Sequence, residues 1–194
     1  MITNHTQLLN ALALKYNLNK YLEIGVYNKA NNYNKIICKN KVGVDPDVND
    51  SEIRGMTSDD YFKEVLGKVE FDLIFIDGLH HADQVKRDFE NSLKCLSDNG
   101  FIVIHDVLPE NEAGTIVPRE TKQWWGDVYK WAMRVCDYIN IGYKTCNIDN
   151  GCMIIWKEQG FTGTDNYKAV KLYNWNDYKS FGYKLMNVTD DITI

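Results

Sequence analysis

The sequence predicts an α/β fold built on an open and mostly parallel β-sheet. Short apolar runs alternate with amphipathic helical segments along the chain, which is the pattern of parallel strands connected by helices. Four acidic residues stand where four of these strands are predicted to end, namely Glu23, Asp45, Asp77 and Asp106. Because open α/β sheets bind ligands at the carboxyl ends of their strands, this row of carboxylates predicts a cofactor-dependent enzyme.

The first half of the chain is predicted to contain three helices and three strands. In chain order they are a helix over 6–17, a strand over 20–26, a helix over 30–38, strands over 42–45 and 53–56, and a helix over 58–67. Leucines at near-helical spacing, from Leu8 to Leu14, predict the first helix. Ser58 is predicted to cap the third helix, with Asp59 and Asp60 in its first turn.

The second half contains the clearest strand–helix–strand unit. Its predicted elements are a strand over 73–76, a helix over 82–96, a turn over 97–100, a strand over 101–104, a helix over 126–137, and strands over 139–146 and 151–157. The continuous apolar runs at 73–76 and 101–104 are typical of strands covered on both faces. The last two strands, joined by a turn at 149–151, are expected to form an antiparallel hairpin at the sheet edge.

Length and composition indicate one domain of 194 residues, with a core over about 18–157 and a C-terminal extension over 158–194. The net charge of −5 argues against a nucleic-acid partner, and no apolar stretch reaches the roughly 20 residues of a membrane helix. The five scattered cysteines form no metal-binding pair, so reduced thiols and a cytoplasmic location are expected. A homodimer contact through the extension is left open.

A glycine and an acid after the first two strands predict a nucleoside-binding site. Gly25 follows the first strand, where the missing side chain lets backbone approach a ligand closely. Asp45 ends the second strand about 20 residues later, a spacing that suits a carboxylate accepting both ribose hydroxyls. Either residue alone also fits an ordinary turn.

A second group of residues predicts the reaction chemistry. Asp77 and Asp106 are 29 residues apart, one crossover unit, so they are expected to end neighbouring strands. Two close carboxylates repel unless a cation such as Mg²⁺ or Mn²⁺ lies between them, although each acid alone also fits a helix cap or a cofactor contact. His80 is expected to turn back toward the strand end, whereas His81 is expected to face solvent at the start of a helix.

The segment after Asp106 carries a long loop that ends in Trp124 and Trp125. Loops of this length in compact domains are often lids or binding loops. The two tryptophans are therefore expected either to form a wall of the substrate site or to cover the sheet.

Together these motifs resemble the class I S-adenosylmethionine-dependent methyltransferases, in particular a small single-domain group often found with sugar, capsule or natural-product pathways. The segments that carry the resemblance are YLEIGVY, VGVDPD, MTSDDYF, the run FDLIFIDGLHHADQVKRDFENSLKCLSDNGFIVIHDVLP, WWGDVYKW and DNGCMIIWK. The resemblance covers roughly residues 18–157 and implies a Rossmann-like fold. It implies a mostly parallel seven-stranded sheet with an antiparallel edge hairpin and helices on both faces.

The resemblance also implies roles for individual residues. The implied contacts to S-adenosylmethionine come from Glu23, Gly25, Tyr27, Asp45, Ser58, Asp59 and Asp77. Asp77, Asp106 and His105 are implied as ligands of Mg²⁺, and His80 with Asp106 as the catalytic residues. Asp59 or a nearby backbone amide would read the adenine. The implied reaction is methylation of a hydroxyl on a small molecule or sugar, with the metal lowering the hydroxyl pKa and His80 taking its proton.

One departure from the family pattern is Lys29, which stands where the family usually keeps a second glycine. Its side chain is expected to crowd the methionine end of the cofactor. A cofactor-binding protein without catalysis therefore stays an alternative, as does a metal-free N- or O-methyltransferase. A nicotinamide-dependent oxidoreductase is disfavoured because the chain lacks the GxGxxG pattern.

Overall fold

A computed structural model of the protein describes residues 1–163 and 173–191. Eight strands form one sheet, and in chain order they are β1 (Lys20–Ile24), β2 (Asn40–Val44), β3 (Ile53–Arg54), β4 (Phe71–Ile76), β5 (Leu96–Ile104), β6 (Ile141–Cys146), β7 (Cys152–Lys157) and β8 (Val188–Thr189). Their order across the sheet is β3-β2-β1-β4-β5-β7-β6-β8. The first five strands run parallel, and β7 pairs antiparallel with both β5 and β6.

Helices cover both faces of this sheet. The longer helices are α1 (His5–Tyr16), α2 (Ser58–Val65), α3 (Ala82–Cys95) and α4 (Val128–Ala132). Alternate residues of each strand supply two separate apolar clusters, since neighbouring side chains point to opposite faces. Leu73 and Phe75 of β4 pack in the cluster that contains α1, whereas Ile74 and Ile76 pack in the cluster that contains the other three helices. The predicted α/β architecture with an antiparallel edge is therefore confirmed.

The strand register brings the expected site residues to one edge. Ile24 of β1 is paired with Val44 of β2 and with Ile76 of β4, and Ile76 is paired with Ile104 of β5. The residue that follows each of these four strand ends therefore lies at the same edge of the sheet. Those residues are Gly25, Asp45, Asp77 and His105, with Asp106 one position further along.

The eighth strand was not predicted. It comes from the C-terminal segment, which forms a helical stretch over Trp175–Asp177, Tyr178–Gly182 and Tyr183–Leu185 before β8 pairs parallel with β6. Backbone bonds hold it, including Asn147 N–H to the Thr189 carbonyl at 3.0 Å. β8 has only two residues, too few to show a sequence pattern that predicts a strand. Its pairing partner β6 lies about 40 residues earlier in the chain.

Three predicted helical features differ in the structure. Residues 30–38 contain only the 3₁₀ turn Tyr33–Lys35, because asparagine side chains in and just before this segment bond elsewhere, as when Asn28 Oδ1 accepts from Ala30 N–H at 3.0 Å. The cap of α2 is Thr57 and not Ser58, since the helix begins at Ser58 and Thr57 Oγ1 accepts from the Asp60 amide at 3.2 Å. The predicted helix over 126–137 is confined to α4 and a 3₁₀ turn at Val135–Asp137.

All five cysteines are free thiols, and four of them are buried. Among the residues that the structure describes, no helix combines the length and apolarity needed to cross a membrane.

Candidate active site

A cleft of about 380 Å³ opens where β1, β2 and β4 end. Residues from the predicted set that line it are Gly25, Tyr27, Asp45, Ser58 and Asp77, and Gln84 of α3 joins them. This volume lies within the ordinary range of small-molecule sites. The position is the one that open α/β sheets use for ligands.

Gly25 lets the strand ends come together at the floor of this cleft. Its φ of +87° is a left-handed conformation, and a Cβ added there would lie 2.2 Å from the carbonyl oxygen of Asp77. Its amide donates to the Val44 carbonyl at 2.9 Å, while the Asp77 amide donates to the Ile24 carbonyl at 2.9 Å. A side chain at position 25 would therefore push apart the two turns that form the cleft.

Two backbone amides hold the Asp45 carboxylate in place, and it can still accept further hydrogen bonds. Its Oδ2 accepts from the Tyr27 amide at 2.7 Å and its Oδ1 from the Asp47 amide at 2.9 Å. The residue is only 8% exposed, so these bonds are shielded from water. Each carboxylate oxygen keeps a second lone pair, and the two oxygens together can accept from two ribose hydroxyls.

Glu23 does not reach the cleft, contrary to the role implied for it. Its Oε2 accepts from the Tyr21 hydroxyl at 2.6 Å and from Asn32 Nδ2 at 2.9 Å, on the face of the sheet that α1 covers. Glu23 is the next-to-last residue of β1, so its side chain lies on a sheet face and not beyond the strand end. Burial raises the pKa of Glu23 to about 7.

Ionisation of the buried Glu23 carboxyl should make the stability of the protein depend on pH. In the unfolded chain its pKa is about 4.3, so stability should fall as pH rises from there toward the folded value. Glu23→Gln keeps an oxygen for Tyr21 and Asn32 but cannot ionise. We expect the variant to exceed wild type in free energy of unfolding by roughly 3 kcal/mol at pH 8 and by only about 1 kcal/mol at pH 5. Urea unfolding at both pH values tests this, and an equal difference at the two would contradict it.

Ser58 and Gln84 meet at the far end of the cleft. Gln84 Nε2 donates to Ser58 Oγ at 3.1 Å and to the buried Asp88 Oδ1 at 3.0 Å. Asp59, expected to read adenine, instead accepts from Arg87 Nε at 3.2 Å and does not line the cleft. Asp59 also lies 3.5 Å from Gln84 Nε2, but only Ser58 and Gln84 line the cleft, so the polar groups offered to a ligand here belong to them.

Lys29 does not crowd the cleft. Its Nζ lies 2.8 Å from Asp50 Oδ2 and 2.5 Å from Glu52 Oε2, and the residue is not among those that line the cavity. Both partners, Asp50 and Glu52, lie in the loop that follows β2, and neither lines the cavity. The departure from the family pattern therefore leaves the pocket open.

Asp77, His80 and Asp106 form a cluster beside the cleft. His80 Nε2 lies 3.2 Å from Asp77 Oδ1, and His80 Nδ1 lies 3.5 Å from Asp106 Oδ2. Among the described residues, His80 Nδ1 and Asp106 Oδ1 are buried without a hydrogen-bond partner. Asp106 also has a φ of +58°, which a residue with a side chain seldom adopts. Unpaired buried atoms and an uncommon backbone conformation are together typical of functional sites.

The protonation state of this cluster follows from its contacts. Burial favours the neutral form of Asp77, but the charge of His105 and bonds from both histidines hold its pKa well below the usual range. An ionised Asp77 can only accept, so His80 Nε2 carries the proton of their bond. His80 Nδ1 then presents a lone pair on the side of Asp106. The geometry is that of a histidine base oriented by a carboxylate.

His105 lies behind this cluster and binds the opposite side of Asp77. Its Nδ1 is 3.2 Å from Asp77 Oδ1 and its Nε2 is 2.7 Å from the carbonyl oxygen of Asp149. Both nitrogens face acceptors, so both carry protons and neither offers a lone pair to a metal. Although burial opposes the charge, Asp77 and Asp149 raise the pKa of His105 well above its usual value.

Two residues of this rear network gave no signal in the sequence. Asp149 Oδ2 accepts from the backbone N–H of His5 at 2.9 Å and lies 2.5 Å from His5 Nδ1. The His5 ring stacks on Phe75 with centroids 5.3 Å apart. His5 and Asp149 are 144 residues apart, so only the fold brings the start of α1 to the back of the site.

The two tryptophans lie in different environments, one in the core and the other against His80. Trp125 is 1% exposed and belongs to the core. Trp124 stacks on His80 with centroids 5.4 Å apart and an interplanar angle of 20°. Gly126 lets the segment pack on the His80 carbonyl, and Asp127 Oδ1 accepts from the Ala82 amide at 2.6 Å at the start of α3. The loop therefore holds an aromatic ring over the imidazole.

The cluster also fits a divalent cation in part. One ligand atom from each of Asp77, His80 and Asp106 lies within 4.8 Å of the others. The two carboxylates are the hard oxygen ligands that Mg²⁺ prefers, and the unpaired Asp106 Oδ1 is free to coordinate. His5, His105 and Asp149 form a second such group, but its atoms are already paired with one another.

Comparisons with known proteins agree with this geometry. Residues 15–107 match a family described as a methyltransferase domain. No curated protein matches the sequence. Among solved structures, an O-methyltransferase from Bacillus cereus in complex with S-adenosylhomocysteine is similar at 13% identity and a TM-score of 0.59, covering 81% of this chain and 83% of that one.

Two further structures show the same fold. The Podospora anserina methyltransferase PaMTH1, with S-adenosylhomocysteine bound, has 19% identity and a TM-score of 0.57 over 79% of this chain and 78% of that one. The O-methyltransferase TomG from Streptomyces achromogenes, involved in tomaymycin synthesis and bound to S-adenosylmethionine, has 15% identity and a TM-score of 0.56 over 78% of each chain.

Proposed function

We propose that this chain, whose residues 15–107 match a methyltransferase domain and whose fold is that of an S-adenosylmethionine-dependent O-methyltransferase, methylates a hydroxyl oxygen of a small molecule. The observation that carries this proposal is the oriented His80, whose unpaired Nδ1 lies beside the cleft. A sugar is the first acceptor class to test, because the sequence resembles a group found with sugar and natural-product pathways.

The cleft supplies a place for each part of the cofactor. Asp45 would accept from the ribose hydroxyls, and Ser58 with Gln84 would bind the polar edge of adenine. The acidic groups of Asp77 and Asp106 would favour a nearby sulfonium cation. When bound, S-adenosylmethionine supplies an electrophilic methyl carbon on that sulfonium.

The remaining chemistry belongs to residues of this chain. His80 Nδ1 would take the proton from the acceptor hydroxyl as its oxygen bonds to the methyl carbon and the carbon–sulfur bond breaks. Asp77 would hold the imidazole in position through Nε2–H, and Asp106 would stabilise the imidazolium that forms. Trp124 stacked on the ring would keep water from the base.

The direct test is the appearance of S-adenosylhomocysteine when the full-length protein is incubated with S-adenosylmethionine and a panel of alcohols, phenols and sugars. We expect at least one hydroxyl compound to give product that carries the methyl group on oxygen. Binding of S-adenosylhomocysteine with no turnover on any acceptor would support the non-catalytic alternative. Product methylated only on nitrogen would contradict the proposed acceptor class.

A metal-assisted variant of this reaction is the second candidate, because Asp106 Oδ1 and Asp77 can both face a cation. Those residues with His80 would hold Mg²⁺, which would polarise the acceptor hydroxyl. Asp77, however, already accepts from two imidazoles, so no cation is needed to offset its charge.

We therefore expect turnover to survive removal of metal ions. Treatment with a chelator followed by dialysis should change kcat by less than about twofold, since a histidine base needs no metal. The measurement is kcat before and after treatment, with and without added Mg²⁺. Loss of activity that Mg²⁺ restores would show the metal-assisted reaction instead.

A further inference from the structure

We propose that Lys29 is a positioning residue that latches together the two loops bordering the cofactor cleft and thereby slows cofactor release. The two segments are the β1 loop (residues 25–32) and the β2 loop (residues 45–52), which follow β1 and β2. Both line the cleft, the first through Gly25 and Tyr27 and the second through Asp45 and Asp47. The inference rests on cofactor binding in this cleft, as proposed above.

The two loops are joined at two points. Near the cleft floor, Asp45 of the β2 loop accepts from the Tyr27 amide of the β1 loop at 2.7 Å. Further out, Lys29 Nζ reaches Asp50 at 2.8 Å and Glu52 at 2.5 Å. The Lys29 ammonium thus pairs with two carboxylates, so the contact is a small network of charges and not a single surface ion pair.

Each partner of the latch is ordered by its own backbone. In the β1 loop the Asn34 amide donates to the Lys29 carbonyl at 2.9 Å. In the β2 loop the Glu52 amide donates to Asp50 Oδ1 at 2.9 Å, and the Ile53 amide to the Asp50 carbonyl at 3.1 Å. These bonds order the backbone on both sides and the Asp50 carboxylate, so the pair with Asp50 costs less additional ordering than a pair between two free side chains.

Burial also distinguishes this lysine. Its side chain is only 22% exposed, against 74% for Lys63, which pairs with Asp60 on α2. The paired carboxylates raise the pKa of Lys29, and the same contact lowers the pKa of Asp50. Tyr27 lies between the two contacts that join the loops. It has a left-handed φ of +48° and is 83% exposed, so its side chain does not hold the cleft edge in place.

The consequence is kinetic. A ligand held between the two loops leaves when they separate, and separation must break the contacts of Lys29. A lysine at a position where the family usually has glycine would then act as a clasp on the cofactor. Because the pair is partly exposed, salt should screen it and speed release.

The test uses Lys29→Met, which keeps the stem of the side chain and removes its charge. We expect S-adenosylhomocysteine to dissociate about threefold to tenfold faster from this variant than from wild type, with association nearly unchanged. Wild-type dissociation should accelerate between about 50 mM and about 500 mM NaCl, whereas dissociation from the variant should respond far less. Stopped-flow displacement measures both rates.

Two further variants sharpen the result. The double variant Asp50→Asn/Glu52→Gln should release S-adenosylhomocysteine as fast as Lys29→Met does. Combining all three substitutions should not increase the dissociation rate further. Lys63→Met is the matched control, since Lys63 pairs with Asp60 on the surface of α2, and it should behave as wild type.

The outcomes separate the latch from the proposed function. If wild type binds S-adenosylhomocysteine and Lys29→Met releases it at the same rate with the same salt response, the latch is wrong and the cofactor site stands. If wild type does not bind S-adenosylhomocysteine at all, the proposed function and the latch fail together. Far-UV circular dichroism of each variant must match wild type, and faster release with an intact fold supports the latch.

Discussion

Replacing Asp45 by alanine is expected to weaken S-adenosylhomocysteine binding at least about a hundredfold, a loss of roughly 2.7 kcal/mol. The change removes the acceptor for two ribose hydroxyls. It also removes the acceptor that holds the Tyr27 and Asp47 amides, so both loops lose their joint at the cleft floor. Titration calorimetry measures the dissociation constant directly.

Two companion variants make the Asp45 result interpretable. Asp45→Asn keeps one accepting oxygen but turns the other position into a donor, so binding should weaken by an intermediate amount. Asp98→Ala is the matched control, because Asp98 is exposed near the amino end of β5, far along the strand from the cleft. If Asp45→Ala is folded and binds as wild type does, Asp45 does not contact the cofactor.

Replacing His80 by alanine is expected to lower kcat by about 100-fold to 10,000-fold, the usual contribution of a general base. The dissociation constant for S-adenosylhomocysteine should stay within about twofold of wild type, because His80 does not line the cofactor cleft. His81→Ala is the matched control. Its neighbouring position at the start of α3 places it outside the cluster with Asp77 and Asp106.

The pH dependence of wild type should report the same base. Burial lowers the pKa of His80, but the bond to Asp77 and the charge of Asp106 outweigh it, so the net pKa is raised above the usual value of about 6.5. A base works only when neutral, so kcat/KM should rise with pH through this raised value. The rising limb should be absent from the residual activity of His80→Ala. A flat wild-type profile over this range would remove His80 from the role of base.

The parallel sheet could be predicted because its strands carry strong local signals. Continuous apolar runs such as 73–76 are buried on both faces, and residues after the last apolar position necessarily lie at the sheet edge. That is why Asp45 and Asp77 were placed correctly beside the cleft. The helix predicted over 30–38 does not form, because asparagines in and just before this segment bond to backbone and to buried Glu23.

Glu23 and Asp45 differ slightly in position relative to a strand end, and this difference decides where their side chains lie. It stands one residue before the end of β1, whereas Asp45 stands one residue after the end of β2. Side chains inside a strand alternate between sheet faces, so Glu23 lies under α1 while Asp45 faces the ligand edge. Glu23 lies inside the strand whether it ends at residue 26, as predicted, or at Ile24, as the structure has it, so the alternation of faces applies to it in both cases.

Strand ends and apolar periodicity are local properties, so the residue pattern alone predicts an α/β sheet with carboxylates and a histidine gathered at one edge. The partners of those groups depend on the folded arrangement of the chain. Lys29 binds acids that follow another strand, and His105 bridges Asp77 to a turn that is held by the first helix. Such contacts join residues far apart in the chain, and side-chain orientation and pKa depend on them.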